Sequence, residues 1–277
     1  MSDFLQLMGR GSEGRLQEAR SRISERQLLA QIAALPAAPG LLFNADGFDV
    51  IAELKLISPA MGRLTDQADN LADRVGAYAR GGAVAVSVLT EPSRFGGSLD
   101  HLQQAAAALL ESGVPVMRKD FLVSPYQVLE ARAVGAGGVL IILAMLDDAS
   151  CRAIIDTALE QGMFVLLEAF DPLELERAGE LLAGLPQTDQ LLLGLNCRDL
   201  RSLQVDVHRF AGAVASFPAG CRRVAESGID SPAMASRARE LGYDMALVGT
   251  ALMRSGNPEQ ALADLLAAGR AVPGVIK

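Results

Sequence analysis

Two histidines, His101 and His208, are all that this chain of 277 residues contains. A histidine metal centre or a histidine-dependent triad is hard to build from so few. Cysteine is scarce too: Cys151, Cys197 and Cys221 show no paired, metal-like spacing. An odd count without a disulfide framework points to a reducing, cytoplasmic setting. Long apolar runs are missing, and none approaches the ~20 residues that span a bilayer. The N-terminal "MSDFLQLMGRGSEGR" has no basic region followed by a long apolar stretch, so neither a signal peptide nor a membrane partner is expected. The net charge of −8 disfavours nucleic acid as a partner, although a local basic pocket can still hold phosphate. Lysines and carboxylates are left to carry any chemistry.

Apolar residues make up 50% of the chain and charged residues 21%, which fits a large core. Residues 1–46 read as a helical, partly polar extension, ended by Pro36, Pro39 and Gly40. From residue 47 to 277 the pattern alternates. Short runs rich in Val, Ile and Leu recur near 50–54, 83–89, 115–118, 138–144, 164–168, 190–195, 222–226 and 245–249. Ala- and Leu-rich amphipathic stretches separate them, many closed by Gly as at a helix C-terminus. Continuous apolar strands imply a parallel sheet covered by helices. Eight such units predict an α/β fold, a (β/α)8 TIM barrel in one domain with an extra N-terminal helical segment; a doubly wound open sheet is the alternative.

In a barrel, active sites form at the C-terminal ends of the strands. Strand one ends with Glu53 and Lys55, two apart and so on one side of the strand. Strand three ends at Lys119, strand five at Glu168, strand six at Asn196 and strand seven at Glu226 and Ser227. Burying unpaired charge is costly, so lysines and glutamates converging on one mouth need a reason. A partly dry lysine–glutamate set suits proton transfer: burial lowers a lysine pKa and raises a carboxylate pKa, opposite neighbours push the other way, and the outcome can be an acid–base pair poised near neutral pH. In "PVMRKDF" side chains alternate, so only one of Arg118 and Lys119 faces the barrel centre. Gly228, Gly249 and Thr250 stand at the last two strand-to-helix turns, where backbone N–H groups commonly cradle phosphate. Ser58 in "SPAMG" is a further donor.

Together these stretches resemble indole-3-glycerol-phosphate synthases. The likeness runs from about residue 50 to 261 and rests on "VIAELK..SP..G", "SVLTEPSRFGGSL", "PVMRKDFLVSPYQVLEARAVGA", "GLNCRDL", "VAESGI" and "ALVGTALMR". The resemblance implies a lyase of tryptophan biosynthesis. Its small-molecule substrate is the anthranilate-derived 1-(2-carboxyphenylamino)-1-deoxyribulose 5-phosphate, closed to an indole with loss of carbon dioxide and water. No metal or other cofactor is implied, and a monomer or homodimer is expected. Lys119 would protonate the ketone, Glu168 would drive the later dehydration, and Lys55, Glu53 and Asn196 would act beside them. Which lysine protonates which oxygen stays open. Arg198 would favour the substrate carboxylate, Phe95 and Phe121 would wall the aromatic ring, and Glu226 would contact substrate. Ser58, Ser227, Gly228, Gly249 and Thr250 would surround the phosphate.

The rim departs from the family pattern. Leu56 and Met61 stand where basic residues are usual, Phe170 where a histidine is, and Cys197 where an asparagine is. Two other readings follow: a paralogue acting on a different aromatic or sugar-phosphate substrate, and a catalytically silent barrel used as a scaffold.

Overall fold

The computed structural model describes residues 3–45, 47–58, 62–64, 70–185, 188–199, 202 and 204–274. Eight parallel strands close into a barrel. They are β1 (Asp49–Leu54), β2 (Ala85–Leu89), β3 (Val116–Lys119), β4 (Gly138–Ile142), β5 (Phe164–Ala169), β6 (Leu191–Asn196), β7 (Arg222–Glu226) and β8 (Met245–Val248). Each pairs with its sequence neighbours, and β8 closes on β1 through Asp49–Met245 and Ala52–Val248. The eight-unit reading of the pattern therefore holds, and the open sheet is excluded.

Two helices precede the barrel, α1 (Asp3–Arg22) and α2 (Glu25–Ile32). The helical pattern read up to Pro36 is split at Ser24. There the Ser24 hydroxyl accepts from the Gln27 N–H while the Gln27 side chain accepts from the Ser24 N–H, a reciprocal cap that starts a new helix. Leu28 and Ile32 of α2 pack with Tyr126 and Leu129. The latter lie on α6 of the barrel's helical shell. That shell comprises α3 (Leu71–Arg80), α4 (Pro92–Phe95), α5 (Leu99–Leu109), α6 (Pro125–Ala133), α7 (Asp148–Glu160), α8 (Pro172–Ala183), α9 (His208–Ala213), α10 (Pro232–Glu240), α11 (Thr250–Arg254) and α12 (Pro258–Arg270). The first connection also carries a short antiparallel ribbon, Ile57–Ser58 against Gly62–Arg63, which the apolar pattern did not signal.

Alternation along each strand sorts the core into two layers. Val50, Ala52, Val116, Val139, Leu167 and Leu193 point outward and pack with the helical shell. Ile51, Met117, Leu140, Phe164, Leu166, Leu192, Val224 and Leu247 point inward and fill the barrel. The site follows from that parity, because inward positions continued towards the strand ends reach the mouth. Ile51 leads to Glu53, Met117 to Lys119, Leu166 to Glu168, Leu192 through Gly194 to Asn196, and Val224 to Glu226.

Arg118 has the opposite parity and faces the shell. It is 3% exposed, and its guanidinium donates to the Gln127 carbonyl at 2.8 Å and to Glu130 at 3.2 Å, and reaches Asp120 at 3.3 Å. Thr90 bridges the same group by donating to Asp120 at 2.8 Å. Removing one partner of a buried charge set strands the others. Arg118→Met is therefore expected to cost about 3 kcal/mol, read as a lowered urea midpoint; an unchanged midpoint would contradict this network.

Candidate active site

A cavity of about 770 Å³ opens at the C-terminal ends of the strands. All the predicted strand-end groups line it: Glu53, Lys55, Lys119, Glu168, Asn196 and Glu226, with Arg198, Phe95, Phe121, Ser227, Gly228, Gly249 and Thr250 around them. The side chain of Ser58 lies outside the described residues, as does Met61 altogether.

Glu53 is the hub of the charged set. One of its oxygens accepts from Lys55 Nζ at 2.7 Å, and the other lies 3.8 Å from Lys119 Nζ. Burial alone would raise its pKa, but the two ammonium groups outweigh burial and hold the carboxyl below its ordinary value. Lys119 also lies 3.5 Å from Glu168. Burial opposes the charge of Lys119, yet the carboxylates of Glu168 and Glu53 outweigh it, and its pKa is raised. Here the expectation of a pair poised near neutral pH is corrected. Surrounding carboxylates beat desolvation, so Lys119 stays a cation across the physiological range.

Glu226 is the group moved the other way. It is 1% exposed, and among the described residues no donor reaches either of its oxygens. Burial first, and then the negative charge of Glu168, raise its pKa well above the ordinary range; a protonated Glu226 can also hydrogen-bond to Glu168. Two lysines and three glutamates thus reach a balance of charge when Glu226 keeps a proton. Glycines make room for this crowding. A methyl group on Gly194 would collide with Glu226, and one on Gly249 with Glu53. Gly249, expected only at the phosphate turn, also gives the hub carboxylate its space.

Asn196 is oriented by its neighbours. Its side-chain oxygen accepts from the Arg198 N–H at 2.9 Å and from the Ser227 hydroxyl at 2.9 Å. The amide oxygen is thereby used, and the NH₂ group is the donor that Asn196, a lining residue, has left to offer. Ser227 takes a left-handed backbone (φ 66°) to make its bond, and Gly228 follows at φ 83°. A non-glycine residue in that region is strained by about 1 kcal/mol or more, a cost found mostly at functional sites.

The aromatic wall is built from three parts of the chain. The rings of Phe95 and Phe121 lie 6.2 Å apart, and Phe4 packs edge-on against Phe121 at 5.9 Å. Arg15 of α1 ties the wall together. It bonds Asp120 at 2.7 Å and approaches Glu91 at 3.7 Å. Asp120 in turn accepts from the Phe121 N–H, while Glu91 caps the helix that carries Phe95. Phe4 and Leu5 were missed as cavity residues. The spacing of buried Leu5, Met8 and Ser12 gives α1 an inner face, but nothing local says that this face covers a barrel mouth.

Among the drifted positions, Phe170 lines the cavity. Leu56 is half-buried, and its carbonyl accepts from the Leu64 N–H at 2.9 Å. Cys197 is not a rim residue. It is fully buried in the outer layer, and burial pushes its thiol up to about 12, which leaves it inert. Neither histidine lines the cavity; His208 is exposed and His101 half-buried.

A (β/α)8 barrel with a half-buried lysine held between carboxylates at its mouth has the architecture of a barrel enzyme, and its groups are of the kind that suits proton transfer. Residues 14–265 match the family model described as indole-3-glycerol phosphate synthase. The chain is 44% identical over 247 residues to the indole-3-glycerol phosphate synthase of Beutenbergia cavernae, covering 89% of this chain and 87% of that protein. It is 41% identical over 252 residues to the one from Mycobacterium leprae strain Br4923, covering 91% and 89%. This chain belongs to the indole-3-glycerol phosphate synthase family. Its fold is also similar to a thiamine phosphate pyrophosphorylase from Pyrococcus furiosus, with a TM-score of 0.59 at 17% identity, covering 83% of this chain and 100% of that one.

The raised pKa of Glu226 has a measurable signature. Below the ordinary glutamate value of 4.5, folded and unfolded chains are both protonated there and nothing is gained or lost. Above it the unfolded chain ionises while the folded chain keeps its proton, so the native protein loses stability at this residue as pH rises. Glu226→Gln is expected to raise Tm relative to the parent by an amount that grows from pH 4 to pH 8. A Tm difference that does not change with pH contradicts the buried acid.

Proposed function

We propose that this cavity closes the pyrrole ring of 1-(2-carboxyphenylamino)-1-deoxyribulose 5-phosphate to give indole-3-glycerol phosphate, with loss of carbon dioxide and water. The observation that carries the reading is Lys119: a half-buried, carboxylate-held cation at the end of an inward strand position, in the cavity that Phe95 and Phe121 also line. The ring lies against Phe95 and Phe121, and Arg198 takes the carboxylate in a planar, two-point grip. The phosphate sits over Ser58, Ser227, Gly228, Gly249 and Thr250. Anchoring both ends folds a flexible chain so that ring carbon and ketone carbon meet.

The chemistry then follows from where charge develops. The ring carbon bearing the carboxylate attacks the ketone carbon, and the ketone oxygen gains negative charge. Lys119 stabilises that oxygen and gives it a proton, leaving a hydroxyl. Carbon dioxide departs, and its bonding electrons restore the aromatic ring. The hydroxyl leaves as water while the CH₂ carbon beside nitrogen loses a proton, a step we assign to Glu168. Glu53 and Lys55 fix the charge around Lys119, and Asn196 and Glu226 present their polar groups to the sugar hydroxyls. Residues 1–46 act as part of the barrel rather than as a separate domain, because α1 supplies Phe4 and Leu5 to the cavity. The free cysteines fit a cytoplasmic enzyme. Among the described residues, no helix is long and apolar enough to cross a membrane.

The test is product formation. The chain contains no tryptophan, so indole fluorescence rises on a dark background. Incubation with the carboxyphenylamino sugar phosphate is expected to produce that signal, and Lys119→Met to lower kcat by about 10²–10⁴-fold while Tm shows a folded protein. Substrate binding without indole formation points to a paralogue with another substrate, and no binding at all points to a silent barrel. Lys119→Met activity within a few-fold of the parent overturns the acid assignment.

A further inference from the structure

The cavity has a charge problem that the groups named above do not solve. Five acidic side chains line it against four basic ones, and with Glu226 biased to its neutral form the two signs only balance, leaving no surplus positive charge. The substrate proposed above brings a carboxylate and a phosphate, both anionic. Lys55 and Lys119 are committed to Glu53 and Glu168. The charge of Arg198 acts on Glu53 as well. At positions 56 and 61 the first loop carries the apolar Leu56 and Met61, which bring no positive charge.

Among the described residues that line the cavity, Arg254 is the remaining cation. It ends α11, and its side chain makes no ion pair or hydrogen bond with any described residue, although it lines the cavity. The geometry of this short helix explains its direction. Thr250 and Arg254 are four apart and share a face. Thr250, Ala251 and Arg254 all line the cavity, whereas Leu252 and Met253 are buried on the opposite face. An arginine in a last turn often satisfies its own helix's terminal carbonyls. Here that task is taken: Arg74 donates to the Leu252 carbonyl at 3.2 Å and to the Met253 carbonyl at 3.4 Å. Arg254 is left exposed and uncommitted, one helical turn from the Gly249–Thr250 turn.

We propose that Arg254 binds the phosphate end of the substrate, supplying the positive charge that Leu56 and Met61 do not. This rests on the phosphate lying at the β7 and β8 turns, as proposed above. Arg254 positions and holds the substrate; it does not take part in bond making. Its contribution falls on binding and, through the guanidinium fork, on an oxygen pair that a lysine meets less well.

Two readouts test it, one of them independent of catalysis. Inorganic phosphate is titrated by calorimetry into the parent, Arg254→Met and Arg254→Lys. The same three proteins are assayed for indole formation. Arg254→Met is expected to weaken inorganic phosphate by about tenfold and to raise KM by a similar factor, with a smaller effect on kcat, while Tm stays that of the parent. Arg254→Lys recovers part of both losses. Phosphate affinity and KM within about twofold of the parent in Arg254→Met overturn the proposal, as does a parent that binds no phosphate at tens of millimolar. A parent that binds phosphate but forms no indole defeats the assigned reaction instead, and the calorimetry still decides for or against Arg254.

Discussion

The site depends on one buried contact, the carboxylate of Glu53 shared between Lys55 and Lys119. A lone lysine in a dry barrel mouth loses its proton readily, because desolvation penalises the charged form. Glu53 and Glu168 reverse that outcome for Lys119, and the raised pKa is the result. The reversal has its own cost. Three glutamates surround two lysines, and the excess negative charge is relieved by a proton on Glu226. Gly194 and Gly249 are needed for the same reason, since any side chain there would push a carboxyl group out of the cluster. The charged set, the glycines and the barrel's strand parity are thus parts of a single arrangement.

The aromatic wall is coupled to that arrangement through residues that never touch it. Arg15 reaches from α1 to Asp120, which immediately follows Lys119 in the chain. Asp120 holds the Phe121 N–H, and Arg118 and Thr90 hold Asp120 from the shell side. Lys119 therefore stands on a strand end fixed from both faces. α1 contributes Phe4 and Leu5 to the cavity and the guanidinium that joins the Phe95 helix to the Phe121 loop. The N-terminal segment completes the cavity wall as well as covering the barrel.

Much of this was legible in the chain. Their places at the ends of apolar strands brought Glu53, Lys119, Glu168, Asn196 and Glu226 to one barrel mouth, where active sites of this fold form. Period-two alternation also predicted that Arg118 and Lys119 would part company, and they do. Three things were not legible, each for a physical reason. The sign of the Lys119 shift depends on distances to carboxylates on other strands, which spacing along one strand does not contain. The burial of Cys197 depends on a turn after β6 that is anchored by Glu226 and Asp206 rather than by a local motif. The role of α1 depends on where a helix with few apolar residues docks, and Arg15 settles that through partners more than 70 residues away in the chain.

The central claim is that carboxylates hold Lys119 as a cation inside the cavity. The most direct test is an NMR titration of lysine side-chain carbons, with the Lys119 signal assigned by its absence in Lys119→Met. The account predicts a signal at the protonated position that does not move as the pH is raised through 10.5, the ordinary lysine value. A Lys119 signal that titrates below that value would contradict it, and would return the site to a lysine poised near neutral pH.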